Sequence, residues 1–105
     1  MEHEHTYASR DDAERMANYY CDKAARNYRT AELIEQSVRQ RVLEILDGGQ
    51  RLTDEKLDTI ANDIQILQEA REETRKLLKS ADDAKADMMA YEAEQNNTAE
   101  EEEKQ

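Results

Sequence analysis

The sequence predicts an all-α protein, a long antiparallel two-helix hairpin similar to a coiled coil. The only two glycines are adjacent, at Gly48 and Gly49, and proline is absent from all 105 residues. Apolar and small residues recur at alternating spacings of four and three on both sides of this point, which is the pattern of a heptad seam. The chain is otherwise rich in residues that favour helix, so we expect one break and two long helices.

The first helix is expected at about residues 10–47. Residues 1–8 show no periodicity and are interpreted as a flexible N-terminal arm. Ser9 is suited to cap the helix, and Asp11 and Asp12 follow in its first turn, where carboxylates meet the positive end of the helix dipole. The seam residues are Ala13, Ala17, Tyr20, Ala24, Ala31, Ile34, Val38 and Ile45, with Tyr28, Val42 and Leu46 widening the stripe.

The turn is expected at residues 48–52, where a glycine supplies the left-handed conformation that ends a helix. Thr53 is suited to cap the second helix, which is expected at about residues 54–94. Its seam residues are Leu57, Ile60, Ile64, Leu67, Ala70, Thr74, Leu77, Leu78, Ala81, Ala84, Met88 and Tyr91. Residues 96–105 contain a run of four glutamates and are interpreted as a disordered acidic tail.

A short turn makes the two helices antiparallel neighbours, so the hairpin as a whole is expected at residues 9–95. This arrangement predicts Val38 opposite Ile64 and a polar pair between Asn27 and Thr74. We expect tight aliphatic packing near the turn and softer packing near the termini. Because two helices bury little area, we also expect the hairpin to complete a four-helix bundle by dimerisation or by docking on a partner.

Composition narrows the classes of function. A net charge of −11 argues against binding nucleic acid or an anionic membrane by charge alone. No apolar run approaches the ~20 residues of a membrane span, and the polar N-terminus is unlike a signal peptide. Cys21 is the only cysteine, which favours a reducing, cytoplasmic location.

No catalytic, cofactor or metal site is predicted, and the protein is interpreted as a non-enzyme. Both histidines, His3 and His5, alternate with glutamates in the arm, where a metal would lack a preorganised second shell. The helices contain no histidine to serve as a base, and the chain has no glycine-rich phosphate loop.

Four apolar residues lie off both seams and are the candidate partner-binding residues. They are Tyr19, Leu33, Leu43 and Ile66. A two-helix hairpin cannot cover them, which favours contact with a protein partner or a second copy.

A second candidate feature is a basic band, which the antiparallel pairing would bring to one height on the hairpin. It consists of Lys23, Arg26, Arg29, Arg71, Arg75, Lys76 and Lys79. Basic residues beside Tyr19 and Tyr28 could grip phosphates and stack bases. The interpretation we favour is that they pair with acidic neighbours on the helix surface, as at Glu35 and Arg39.

These features favour a non-enzymatic interaction protein that self-associates or binds a protein partner. Small acidic helical proteins of this type serve as accessory, assembly or regulatory factors, including in phages and mobile elements. Two alternatives remain open: an acidic nucleic-acid mimic that inhibits a nucleic-acid-binding protein, and a nucleic-acid-binding hairpin that uses the basic band.

Overall fold

The computed structural model contains two long helices that pack against each other, as the seams predict. Helix α1 spans Arg10–Asp47 and helix α2 spans Asp54–Glu103, and no strand occurs within residues 4–49 and 51–103, which are the residues that the structure describes. Side chains are described up to residue 97. The prediction of an all-α two-helix hairpin is confirmed.

Both helix starts use the predicted caps. The Ser9 hydroxyl accepts a hydrogen bond from the Asp12 amide at 3.1 Å, and the Thr53 hydroxyl accepts one from the Lys56 amide at 3.3 Å. Each cap satisfies one of the amides that a helix leaves unpaired in its first turn. At the other end of α1, Gly49 has a φ of 62°, the left-handed conformation that glycine adopts without steric cost.

Helix α2 continues beyond the predicted end near residue 94. It runs through Asn96, Asn97 and Thr98 to Glu103, so the helix includes most of the segment interpreted as a disordered tail. These three residues are weak helix formers, but each costs only about 0.7 kcal/mol relative to alanine, and no glycine or proline follows to end the helix. Residues 104 and 105 lie outside the described part.

The contacts divide the chain into two units. Unit 1 is Met1–Lys23 with Lys76–Gln105, and unit 2 is Ala24–Arg75. Unit 1 buries small side chains almost completely, and its buried apolar residues are Ala13, Ala17, Leu77, Ala81 and Ala84. Alanine lets two helix backbones approach closely, which explains the dense packing of this unit.

Unit 2 buries fewer of its seam residues. Ala24, Ala31, Leu67 and Thr74 are buried, but Leu57 and Ile64 are exposed although the heptad pattern places them in the seam. Ile34, Val38, Ile45 and Ile60 are only half-buried. The expectation of tight packing at the turn and softer packing at the termini is therefore wrong: the unit containing the termini is the better buried one.

Two ion pairs join the helices of unit 2 and indicate the register between them. Arg41 Nη1 lies 2.5 Å from Asp63 Oδ2, and Arg71 Nη2 lies 3.5 Å from Glu35 Oε1. Val38 is midway between Glu35 and Arg41, and Leu67 is midway between Asp63 and Arg71, so we infer that Val38 is level with Leu67, about one helical turn from the predicted partner Ile64. This register accounts for the burial of Leu67 and the exposure of Ile64.

The predicted pairing of Asn27 with Thr74 is not seen among the described hydrogen bonds. The Thr74 hydroxyl instead donates to the Ala70 carbonyl of its own helix at 2.9 Å. Serine and threonine commonly satisfy a half-buried hydroxyl in this way, without a partner on the facing helix.

The packing of unit 1 predicts a position-specific cost of added volume. Ala84→Leu should destabilise the protein by about 1–3 kcal/mol, because the side chain at this position has no room to expand. Ala86→Leu, two residues away on the exposed side of α2, should change stability by no more than about 0.5 kcal/mol. Urea unfolding of the two variants measures the difference, and equal losses would contradict the close approach of the helices.

The register of unit 2 predicts unequal costs along α2. Leu67→Ala should cost about 2–4 kcal/mol, since this side chain is buried. Ile64→Ala should cost about 1 kcal/mol at low protein concentration, because much of the side chain is already in water. Thermal unfolding of dilute samples compares the two variants. A larger loss of stability for Ile64→Ala than for Leu67→Ala would instead support the register in which Ile64 faces Val38.

Candidate functional site

The N-terminal arm is held against α2 by a histidine between two carboxylates. His5 Nδ1 lies 2.7 Å from Asp87 Oδ1, and His5 Nε2 lies 2.7 Å from Glu94 Oε1. The imidazole also stacks on the Tyr91 ring, with centroids 3.6 Å apart and planes inclined by 8°. Asp87 and Glu94 are seven residues apart, so α2 presents both carboxylates on the same side.

The arm backbone completes this cluster. The Tyr7 amide donates to Asp87 Oδ2 at 3.0 Å, and the Tyr91 hydroxyl donates to the Tyr7 carbonyl. Asp87 is only 1% exposed, and such a carboxylate needs partners to remain charged. The arm supplies two of them, so the segment interpreted as a flexible arm makes specific contacts with α2.

Sequence reasoning missed this cluster because its partners lie 80 or more residues apart. The available signal was Asp87 itself, an acidic residue beside the seam positions Ala84 and Met88. A carboxylate on the flank of an apolar seam indicates a cationic or amide partner from elsewhere in the fold.

The cluster favours a protonated histidine. The hydrogen bond that His5 donates to Asp87 has the largest effect and raises the pKa of His5 above its ordinary value of 6.5; burial lowers this pKa and Glu94 raises it further, and the net shift is upward. Burial raises the pKa of Tyr7 and Tyr91 above 10.0. A histidine that donates from both nitrogens has no lone pair left to accept a proton, so this arrangement holds the arm and does not form a catalytic base.

The residues of this cluster do not form a metal site. No group of three or more histidine, cysteine or acidic side chains in the described residues is arranged to hold a metal ion. His3, the other histidine of the sequence, lies outside the described residues.

Unit 2 carries an exposed apolar surface on one side of its seam. Seven-residue spacing places Tyr28, Glu35 and Val42 in one row of α1, and it places Leu57, Ile64 and Arg71 in one row of α2. The Glu35–Arg71 ion pair joins these rows, which shows that they share one side of the hairpin.

Leu46 lies one turn beyond Val42 on the same side of α1. We call this surface the Leu57 face and define it as Tyr28, Val42, Leu46, Leu57 and Ile64. Four of the five side chains are exposed, and Val42 is half-buried.

The candidate partner-binding residues are exposed but do not form one patch. Tyr19 belongs to unit 1, whereas Leu33, Leu43 and Ile66 belong to unit 2. Leu33 lies two residues before Glu35, about 200° around the helix from the Leu57 face. Ile66 follows Asp63 by three residues and lies on the side of the Arg41–Asp63 pair. These residues are therefore distinct from the Leu57 face, in which the Glu35–Arg71 pair separates Tyr28 from the other four members.

A shallow groove of about 470 Å³ lies near the turn of unit 2. Its lining mixes two isoleucines with charged and hydroxyl side chains: Arg41, Glu44, Ile45, Thr53, Glu55, Lys56, Thr59 and Ile60. No histidine or cysteine is among these lining residues.

The basic band is only partly paired. Arg71 contacts Glu35, Arg75 contacts Glu72 at 3.4 Å, and Lys23 lies over the Tyr19 ring at 5.8 Å. The i,i+4 spacing predicts three pairs, Asp22–Arg26, Glu35–Arg39 and Glu72–Lys76. Glu35–Arg39 forms at 3.3 Å, and the other two are not seen among the described residues, where Glu72 contacts Arg75 instead. Within the described part of the chain, the remaining members of the band have no ion-pair partner: Arg26, Arg29, Lys76 and Lys79. Exposed pairs of this kind contribute little stability, so their absence costs little.

No helix in the described residues is long and apolar enough to cross a membrane. No protein-family model matches the chain, no curated protein is similar to it, and no solved structure matches its fold.

The unpaired basic side chains allow a test of nucleic-acid binding. We expect neither the full chain nor a chain lacking residues 96–105 to bind single- or double-stranded DNA at ~150 mM salt. The acidic residues around the band repel the phosphates of the DNA. Fluorescence anisotropy with labelled oligonucleotides measures the binding. Micromolar, salt-sensitive binding by the truncated chain would instead favour the nucleic-acid alternative.

Proposed function

We propose that this protein is a non-enzymatic interaction protein that self-associates through the Leu57 face of unit 2, forming a four-helix assembly that acts as an accessory, assembly or regulatory factor. The observation that carries this proposal is the exposure of Leu57 and Ile64. Their heptad positions are those of core residues, yet the facing helix covers them only in part, leaving Leu57 47% and Ile64 40% exposed. Heptad residues that stay exposed in a single chain can pack against a helix of a second chain.

The distribution of apolar residues supports unit 2 as the docking region. Among the described residues, eight of the eleven exposed large hydrophobic side chains belong to unit 2: Tyr28, Leu33, Leu43, Leu46, Leu52, Leu57, Ile64 and Ile66. Burying a leucine or isoleucine contributes about 1.5–3 kcal/mol, so covering even three such side chains would contribute substantially to association.

Charge supports a second copy as the partner. Residues 24–75 contain eight basic and eleven acidic residues, a net charge of −3, which leaves −8 of the total −11 in unit 1. Two copies therefore repel each other least where their unit 2 surfaces meet. Glu35 and Arg71, which carry opposite charges, lie in the two rows that contain the Leu57 face. Two copies can therefore place opposite charges together where these rows meet.

The non-enzymatic part of the proposal is supported by the chemistry of the described side chains. His5 is engaged through both ring nitrogens, and Cys21 is a free, half-buried thiol. A reducing, cytoplasmic location is proposed on the basis of this single cysteine.

The self-association proposal predicts that the two neighbouring isoleucines of α2 behave differently. Ile64 and Ile66 are 40% and 43% exposed, but they lie on opposite sides of the seam. At micromolar concentration, sedimentation equilibrium of the unaltered protein should give the mass of two chains. Ile64→Glu should give the mass of one chain, because the new carboxylate faces an apolar partner surface, and Ile66→Glu should remain a dimer.

A second pair of variants tests the interface independently, in case Ile64→Glu unfolds the chain and does not simply dissociate the dimer. Leu46→Glu alters a side chain of the Leu57 face that is 70% exposed, and Leu33→Glu alters one that is 66% exposed elsewhere on α1. Only Leu46→Glu should abolish the concentration dependence of the melting temperature that a dimer shows. A folded monomer with a concentration-independent melting temperature would refute the proposal, and dissociation by Leu33→Glu or Ile66→Glu instead would place the interface elsewhere.

A further inference from the structure

We propose that residues 4–8 act as a pH-sensitive clasp on unit 1, which is closed while His5 carries protons on both ring nitrogens and loosens when His5 loses one. The clasp lies wholly in unit 1, so it is independent of self-association through unit 2.

The clasp depends on the double protonation of one ring. Nδ1 and Nε2 each lie 2.7 Å from a carboxylate oxygen, of Asp87 and Glu94 respectively. Only the imidazolium can donate at both positions, whereas a neutral ring turns one lone pair towards a carboxylate. Deprotonation therefore converts one of the two attractive contacts into a repulsive one.

The two carboxylates differ in their freedom to respond. The Asp87 side chain is 1% exposed and also accepts the Tyr7 amide, so it is fixed by the arm and by α2. The Glu94 side chain is 60% exposed and can turn into solvent. Loss of the proton should therefore release the Glu94 contact first and weaken the stacking of His5 on Tyr91.

The titratable groups around the clasp come from both helices. From α2, Asp87 and Glu94 face the ring directly, and Asp83 acts on the neighbouring Tyr7. From α1, the charge of Asp12 raises the pKa of Tyr91, and a hydrogen bond with Tyr20 raises the pKa of Tyr7.

Arg10, a cation at the start of α1, is occupied by carboxylates of both helices. Its Nε lies 2.9 Å from Glu92 and its Nη1 lies 2.8 Å from Glu14.

The direction of the pH dependence follows from linkage. Because the pKa of His5 is raised in the folded protein, its contribution to holding the arm is fully present below 6.5. This contribution is lost as the pH rises through the folded pKa. The fraction of open arm should therefore increase towards alkaline pH, exposing the Asp87 carboxylate and one face of the Tyr91 ring.

The test is an NMR titration of the full chain carrying His3→Gln, which leaves His5 as the only histidine. The imidazole signals of His5 report its protonation, and the Tyr7 amide signal reports the hydrogen bond to Asp87. We expect both to change with one midpoint above 6.5, with the Tyr7 amide moving towards its position in an unstructured peptide at high pH.

The decisive variant is Glu94→Gln, since an exposed residue can be changed with little effect on the fold. It should lower the shared midpoint, because one of the two carboxylates that favour the imidazolium is removed. Glu73→Gln, the same change at an exposed position of unit 2, is the matched control and should leave the midpoint unchanged.

Two results would overturn the proposal. If His5 titrates at or below 6.5, the ring is not held between the carboxylates. If the Tyr7 amide does not respond while His5 titrates, the arm is held independently of the histidine proton. Neither result bears on dimerisation, which is measured separately through unit 2.

Discussion

The constraint on which this structure depends is the narrowness of a seam between two helices. Each helix can turn only a limited stripe towards its neighbour, and the stripe buried here is made largely of alanine, as at Ala17, Ala24, Ala81 and Ala84. Small side chains allow close approach but bury little apolar area each. Residues on the flanks of the seam can therefore be covered only by something additional to the two helices.

The two units meet this constraint in different ways. In unit 1 the N-terminal arm is the additional layer: His5 and Tyr7 cover the flank of α2 and give the buried Asp87 carboxylate its partners. In unit 2 no segment of the described chain performs this role, so Leu57 and Ile64 remain exposed. The acidic charge is concentrated in unit 1, whereas the exposed apolar side chains are concentrated in unit 2, where repulsion between copies is weakest.

Polar contacts determine which residues of the seam face each other. Alanines at repeated spacing permit several registers with similar burial, since shifting one helix by a turn replaces one small residue with another. The Arg41–Asp63 and Glu35–Arg71 pairs lie on opposite sides of unit 2 and agree on one register. Exposed ion pairs contribute little stability, but between registers of similar burial even a small difference in free energy favours one of them.

Local chemistry and periodicity determined the elements of this fold. The single glycine pair, the caps at Ser9 and Thr53 and the heptad spacing are short-range features, and each produces the same local conformation wherever it occurs. They were sufficient to predict two helices, their order and their antiparallel arrangement. Helix α2 extended past its predicted end because weak helix formers do not terminate a helix without a glycine or proline.

Only the tertiary structure decided which seam residues are buried and where the arm lies. The heptad pattern places both Ile64 and Leu67 in the core, but in the structure Leu67 is buried and Ile64 is exposed. The register between the helices accounts for this difference. The contact of His5 with Asp87 joins residues 82 positions apart, so no local pattern contains it. Periodicity describes one helix at a time, whereas burial, register and the partners of a buried charge are properties of what lies opposite.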